Sequence, residues 1–154
     1  VGQYIRNGAT EVEWVTPSGF VVNQRRDKVD LQRVQLQLLG NIRIAIDKLD
    51  GGKPCPIRHQ SSTAPNFIHS LDASILHCSF QQFDGPFTVI HDSVLARAGD
   101  MGTLNSLVRE TYTGIFTSDC WLTRFGEIIN ASEPPPIVGT LDPTVVQEST
   151  YFFC

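Results

Sequence analysis

Phe87-Thr88-Val89-Ile90-His91-Asp92-Ser93-Val94-Leu95-Ala96 is the stretch on which the fold turns. Four residues of strand-forming type run into two polar ones and four more run out, the pattern of a β-hairpin with a two-residue loop. Asp92 stands at its tip. Phe87 to Ile90 reads as a buried strand, so a charge at its end needs a reason, because burying an unpaired carboxylate is costly. An ordinary turn aspartate and a metal ligand both fit the pattern. A paired-metal site would need a further carboxylate, and the spacing of Asp72 and Asp84 places neither beside Asp92.

Upstream of the hairpin, Phe67, Ile68, Leu71 and Ile75 recur at helical spacing, which predicts a helix over 64–80 with Pro65 in its first turn. His69, Asp72, Ala73 and His77 fall on the other side, and His69 and Asp72 are close enough to interact or to face one ligand. Downstream, Asp100 is placed to cap a helix over 100–116, with Leu104, Leu107, Val108, Thr111 and Ile115 on its apolar stripe. Asp119 is placed to cap another over 119–130, which Pro134-Pro135-Pro136 stops. A short helical turn starts at Asp142-Pro143, ahead of the aromatic tail Tyr151-Phe152-Phe153-Cys154.

Nearer the beginning, Glu11 to Thr16 alternates with period two, Pro17-Ser18-Gly19 turns the chain, and Phe20-Val21-Val22 returns. A second hairpin spans 31–46: Arg33 to Leu38, a turn at Leu39-Gly40-Asn41, then Ile42 to Ile46. Alternation gives it an apolar face (Val34, Leu36, Leu38, Ile42, Ile44, Ile46) and a polar one carrying Arg33, Gln35, Gln37 and Arg43. Asp50 to Ser62, with Gly51-Gly52 and two prolines, reads as a loop between a β-rich region, 1–60, and a mixed one, 61–154.

The 154 residues suffice for a genuine core, and 18% charged with 41% hydrophobic residues exclude a disordered or collagen-like chain. The net charge of −4 argues at first against a polyanionic partner. Its distribution reverses that inference: residues 1–60 carry nine basic and six acidic side chains, and residues 61–154 carry three and ten. Cys55, Cys78, Cys120 and Cys154 form no C-x-x-C, and His59, His77 and His91 lack the spacing of a zinc site. A reduced, intracellular protein is the expectation. No run approaches the roughly 18 apolar residues of a membrane span. Val1, with no initiator Met, reads as a cut end.

Ala64-Pro65-Asn66-Phe67-Ile68-His69-Ser70-Leu71-Asp72-Ala73-Ser74, followed by Ile90-His91-Asp92-Ser93, resembles the C-terminal part of the single-subunit DNA-dependent RNA polymerases of T7-like phages, mitochondria and plastids. Trp14-Val15-Thr16-Pro17-Ser18-Gly19-Phe20, Val108-Arg109-Glu110 and the ending Tyr151-Phe152-Phe153 match in family order. The resemblance implies an α+β fold, the palm and fingers portion of a right-hand polymerase with β-hairpins packed on helices. It implies that Asp92 binds catalytic Mg²⁺, with His91 and Ser93 as neighbours, and that His69 touches the minor groove near the RNA–DNA hybrid. The 31–46 hairpin resembles the specificity loop, so Arg33, Gln35 and Arg43 would read promoter bases in the major groove. Bidentate Arg–guanine and Gln–adenine contacts are the physical means. Ala45 stands at another reading position and cannot hydrogen-bond through its side chain, which implies a different promoter. The tail, 141–154, resembles the family's C-terminal foot, with Phe152, Phe153 and the Cys154 carboxylate supporting the active site.

Some positions depart from the family pattern: Val94 and Arg97-Ala98 follow the hairpin tip, and Ala73 and Ile75 stand where glycine and histidine are common. The family's other metal-binding aspartate, its nucleotide-gripping lysine and arginine, and its sugar-selecting tyrosine have no match here. The implied activity is therefore template-directed nucleotidyl transfer and promoter recognition by part of a longer or split enzyme. Its partners would be DNA template and promoter, nascent RNA, nucleoside triphosphates and the remaining polymerase, in a phage-infected bacterial cytoplasm or an organelle, with no membrane. A fragment of a family A DNA polymerase, which shares the palm, and a non-catalytic promoter-binding module are the alternatives.

Overall fold

The computed structural model describes residues 1–28, 31–36, 42–47, 52–136 and 139–152, with the side chains of 31–36 and 42–47 outside the description. The chain divides into two compact units, one of residues 1–12 with 23–64 and one of 13–22 with 65–154. In chain order the elements are α1 (Gly2–Arg6), β1 (Val12–Val15), β2 (Val21–Gln24), β3 (Leu31–Leu36), β4 (Ile42–Asp47), α2 (Pro56–Phe80), β5 (Phe87–Ile90), β6 (Ser93–Ala96), α3 (Met101–Ser118) and α4 (Trp121–Ile128). Strands pair only as hairpins among the described residues: β1 with β2, β3 with β4 and β5 with β6. Helices and small antiparallel sheets together make an α+β fold.

In the first unit, β3 and β4 are antiparallel, with Arg33 opposite Ala45, Val34 opposite Ile44 and Gln35 opposite Arg43. The chain entering and the chain leaving this hairpin are bonded to each other: Lys28 N–H donates to Lys53 O (2.9 Å) and Cys55 N–H to Arg26 O (2.8 Å). The turn expected at Leu39-Gly40-Asn41, and Gln37 with it, lies outside the described residues.

α2 starts at Pro56, not at 64, and takes in most of the segment expected to be a loop. Pro65 is accordingly inside the helix. A proline there removes one amide donor and crowds the preceding turn. Local hydroxyls tie that turn down: Ser62 Oγ donates to Arg58 O (2.7 Å) and Thr63 Oγ1 to His59 O (2.6 Å). His59 and Thr63, one turn apart, are both buried, and this tertiary burial outweighs the proline and glycine signals around them.

In the second unit, Thr16 N–H donates to Phe20 O (2.9 Å) around a turn that needs Gly19 at φ +80°. Trp14 is almost wholly buried, edge-on to Phe67 (6.0 Å) and Phe125 (5.7 Å), and those two rings meet at 4.7 Å. The main cluster is Ile75, Phe83, Leu104, Val108 and Ile115, with Phe80, Val94, Ala96, Tyr112 and Phe152 packed on it. α3 buries Leu104, Val108, Thr111 and Ile115 of the stripe its sequence predicts, with Leu107 partly buried and Thr113 buried in addition. On α2, Phe67, Leu71 and Ile75 point inward, but Ile68 is 51% exposed. Ile68 follows Phe67 by only about 100°, on the edge of the apolar sector.

Two expected caps are absent. Asp100 makes no capping bond to α3 and instead pairs with Arg97 at 2.8 Å. α4 begins at Trp121 with Cys120 before it, while Asp119 pairs with Arg124 at 2.8 Å. In each case a nearby guanidinium out-competes the backbone amides for the carboxylate. Asp142 behaves as expected, accepting from Thr144 N–H (2.9 Å) at the start of the turn Pro143–Gln147.

Leu104 is fully buried at the centre of the main cluster. Leu104→Ala is expected to lower the unfolding free energy by about 2–5 kcal/mol in a urea titration. A loss below about 1 kcal/mol would show that the core lies elsewhere.

Candidate functional site

β5 and β6 pair from Phe87 opposite Ala96 to Ile90 opposite Ser93, leaving His91-Asp92 as the loop. His91 has φ +60°, a left-handed conformation that histidine tolerates better than most residues and that suits the twist of a two-residue hairpin loop. The root of the hairpin is fixed: the Phe87 ring lies flat on Phe80 at 4.0 Å and 5°, with Phe83 edge-on to both. Val94 and Ala96 add the contacts of β6 to the main cluster. The tip lies about 13 Å further out, four residues along an extended strand.

β5 was expected to be buried, and it is not: Phe87 is 44%, Val89 39% and Ile90 66% exposed. A two-stranded sheet buries what its helix covers and nothing more. Asp92 is likewise solvated, its side chain 83% exposed, and its one ion-pair contact among the described residues is to the His91 ring (Nδ1 to Oδ1, 3.4 Å). Its carboxylate therefore carries no burial cost in this chain. Asp72 and Asp84 make no hydrogen bond or ion pair with it among the described residues, and no group of three or more His, Cys, Asp or Glu side chains could hold a metal ion there. Asp92 offers one hard oxygen donor, of the kind Mg²⁺ prefers, but not a complete site.

His69 and Asp72 lie on the exposed side of α2 with Ala73, as expected, but no hydrogen bond joins them. Behind them Trp14 Nε1–H donates to Ser70 Oγ (3.0 Å), and Ser70 Oγ–H donates to Phe67 O (2.7 Å). Ser18 Oγ lies 3.4 Å from both Ser74 Oγ and His77 Nδ1. The Trp14–Phe20 and Ala64–Ser74 stretches, far apart in sequence, are thus two sides of one packed corner that presents His69 outward.

Arg33, Gln35 and Arg43 sit on alternate rungs of the β3–β4 ladder, Arg33 against Ala45 and Gln35 against Arg43. In the tail, Phe152 packs edge-on against Tyr112 (5.1 Å), with the Arg109 guanidinium 5.5 Å from its ring centre. Phe153 and Cys154 lie outside the described residues.

Sequence reasoning passed over two residues. Arg109 donates to the carbonyl oxygens of Val146 and Ser149 (the latter at 2.8 Å) and to Asn105 Oδ1 (2.6 Å), so it straps the tail to α3. Only its place in Val108-Arg109-Glu110 marked it. His59 is fully buried, and its Nε2 accepts the Arg26 amide N–H at 3.0 Å, which puts the ring proton on Nδ1. Nδ1 has no partner among the described residues. Burial holds the His59 pKa below the ordinary imidazole value, against the pull of Asp27.

A depressed folded-state pKa means that the unfolded chain binds the proton more readily. The contribution of His59 is complete above about pH 6.5 and is lost as pH falls through the folded-state value. Below about pH 6.5, stability should decline on acidification. His59→Gln should flatten that limb in urea titrations at successive pH values; an unchanged slope would assign the decline to other groups.

Among the described residues no helix is long and apolar enough to cross a membrane. The family model for DNA-dependent RNA polymerase matches residues 3–133. The DNA-directed RNA polymerase of Pseudomonas phage phiKMV is 30% identical over 157 residues, covering 96% of this chain and 18% of that protein. DNA-directed RNA polymerase 1, mitochondrial, of Arabidopsis thaliana is 32% identical over 151 residues, with 91% and 15% covered. The mitochondrial DNA-directed RNA polymerase of Homo sapiens is 30% identical over 167 residues, with 92% and 13% covered. The chain thus spans less than a fifth of the length of these three relatives.

Proposed function

The chain belongs to the DNA-dependent RNA polymerase family, and from that premise we propose that it forms the palm, fingers and promoter-reading portion of a single-subunit enzyme. The reaction is template-directed nucleotidyl transfer. The RNA 3′ oxygen attacks the α-phosphorus of a nucleoside triphosphate, a P–O bond forms, and pyrophosphate leaves. Relatives named for phages and mitochondria point to a phage-infected cell or an organelle as its setting.

The observation that carries this reading is the mounting of Asp92: a solvated carboxylate on a tight two-residue loop, rooted in stacked rings. Such a mount suits a ligand that must stay put while substrate moves past it. Asp92 supplies one oxygen toward Mg²⁺, with a carboxylate outside this chain completing the site, and His91 and Ser93 flank it. Mg²⁺, when bound, neutralises phosphate charge and activates the attacking oxygen. The exposed apolar side chains of β5 suit covering by the rest of a palm sheet. His69 faces the hybrid, Arg33, Gln35 and Arg43 read promoter base edges, and Phe152 supports the site from the tail.

In the full-length polymerase, Asp92→Asn should reduce primed elongation by about a thousandfold while sparing promoter binding. Retained elongation would leave a promoter-binding module as the reading. Exchanging Gln35 or Arg33 should shift base preference at one promoter position by roughly tenfold or more, with primed elongation nearly intact. Equal loss on both templates would make the hairpin structural.

A further inference from the structure

The most heavily tied part of the first unit is the neck of the β3–β4 hairpin. Three side chains on the first turns of α2 grip it. His59 Nε2 accepts the Arg26 N–H (3.0 Å), Arg58 Nη1 donates to Asp27 O (2.7 Å), and Thr63 Oγ1 accepts from Gln24 Nε2 (2.7 Å). Thr63 in turn donates to His59 O (2.6 Å), so the buried contacts form one chain of bonds. The neck strands are bonded to each other at Lys28–Lys53 and Arg26–Cys55. Arg25 clasps Asp27 (3.1 Å) and reaches Gly52 O (3.5 Å). The packing leaves no slack: a Cβ at Gly52 would meet Lys28 O at 3.0 Å and Asp27 Cβ at 3.1 Å.

These bonds exceed what a connecting segment needs. A loop satisfies its backbone groups with water at little cost, whereas this one is held by directional contacts from a helix, those of His59 and Thr63 partly or wholly buried. The His59 and Arg58 bonds fix backbone atoms of Arg26 and Asp27, and Thr63 anchors the Gln24 side chain just before them, so together they set the direction in which the hairpin leaves. We propose that His59, with Arg58 and Thr63, is a positioning residue for promoter recognition: it aims the β3–β4 hairpin without touching DNA. This rests on the hairpin's reading bases, as proposed above. Base-edge hydrogen bonds tolerate errors of only a few tenths of an ångström, so a loosened neck blurs readout while the chemistry continues.

The test uses the full-length polymerase, with promoter-dependent initiation and primed elongation measured side by side. His59→Phe keeps the ring and removes the acceptor, and should lower promoter-dependent initiation by about tenfold, with primed elongation within about twofold. His59→Gln, whose amide oxygen can accept the Arg26 N–H, should restore most of the loss. Arg58→Met, at an exposed position, should lower initiation by a smaller factor in the same assay. Should His59→Phe depress both activities alike, Arg58→Met decides: selective loss supports the mount, and wild-type behaviour in both assays overturns it. Wild-type initiation by His59→Phe also overturns it. In that case a Gln35→Ala control that still shifts base preference leaves promoter reading by the hairpin standing, and one that does not removes both.

Discussion

The flat stack of Phe87 on Phe80 is the contact on which the catalytic reading depends. A two-stranded ribbon four residues long has little stability of its own. Two faces of rings 4.0 Å apart, capped edge-on by Phe83, fasten one end of it to the last turn of α2. β6 then adds Val94 and Ala96 to the Leu104 cluster, and Phe152 reaches the same cluster from the tail. Release of that stack would leave the Asp92 hairpin anchored only through the β6 side, by Val94 and Ala96 among the described residues.

Where the sequence was transparent, local chemistry decided the structure. β5 and β6 fall where alternation and a two-residue loop place them, and the register of β3–β4 follows from its alternating residues. α3 shows its stripe because Leu104, Val108 and Ile115 all face one cluster. Where it was opaque, distant groups decided. Nothing near His59 announces a helix, since prolines and glycines flank it, but the Arg26 amide and the Gln24 side chain give His59 and Thr63 partners across the fold. Asp100 and Asp119 are good capping residues whose carboxylates are taken by Arg97 and Arg124. The exposure of β5 was illegible for a different reason: an apolar strand looks the same whether or not its cover belongs to the same chain.

Of the candidate site, the positions of His69 and Asp92 could be read from pattern, and their chemistry could not. A single carboxylate at a hairpin tip is a turn residue until something else arrives to share a cation with it. That it is solvated here is consistent with both readings, because an incomplete metal site left in water costs nothing to maintain. The family match covers residues 3–133, and so both the hairpin tip and the β3–β4 ladder, which is what supports the proposal of a metal ligand there.

The two elements proposed to bind metal and to read promoter bases are held by opposite kinds of force, and the difference fits those proposed tasks. Asp92 rests on stacked and packed apolar groups, which resist displacement but specify orientation only loosely. A cation corrects small errors in a ligand's approach, since its attraction is not sharply directional. The β3–β4 neck is held instead by hydrogen bonds from His59, Arg58 and Thr63, which fix direction and distance together. Reading a base edge needs that stricter geometry, because donor and acceptor must align before discrimination begins. The split of charge follows the same division. The basic side chains concentrate in residues 1–60, where a polyanion would be met directly, and the acidic excess lies in 61–154, where one would be met through a metal ion.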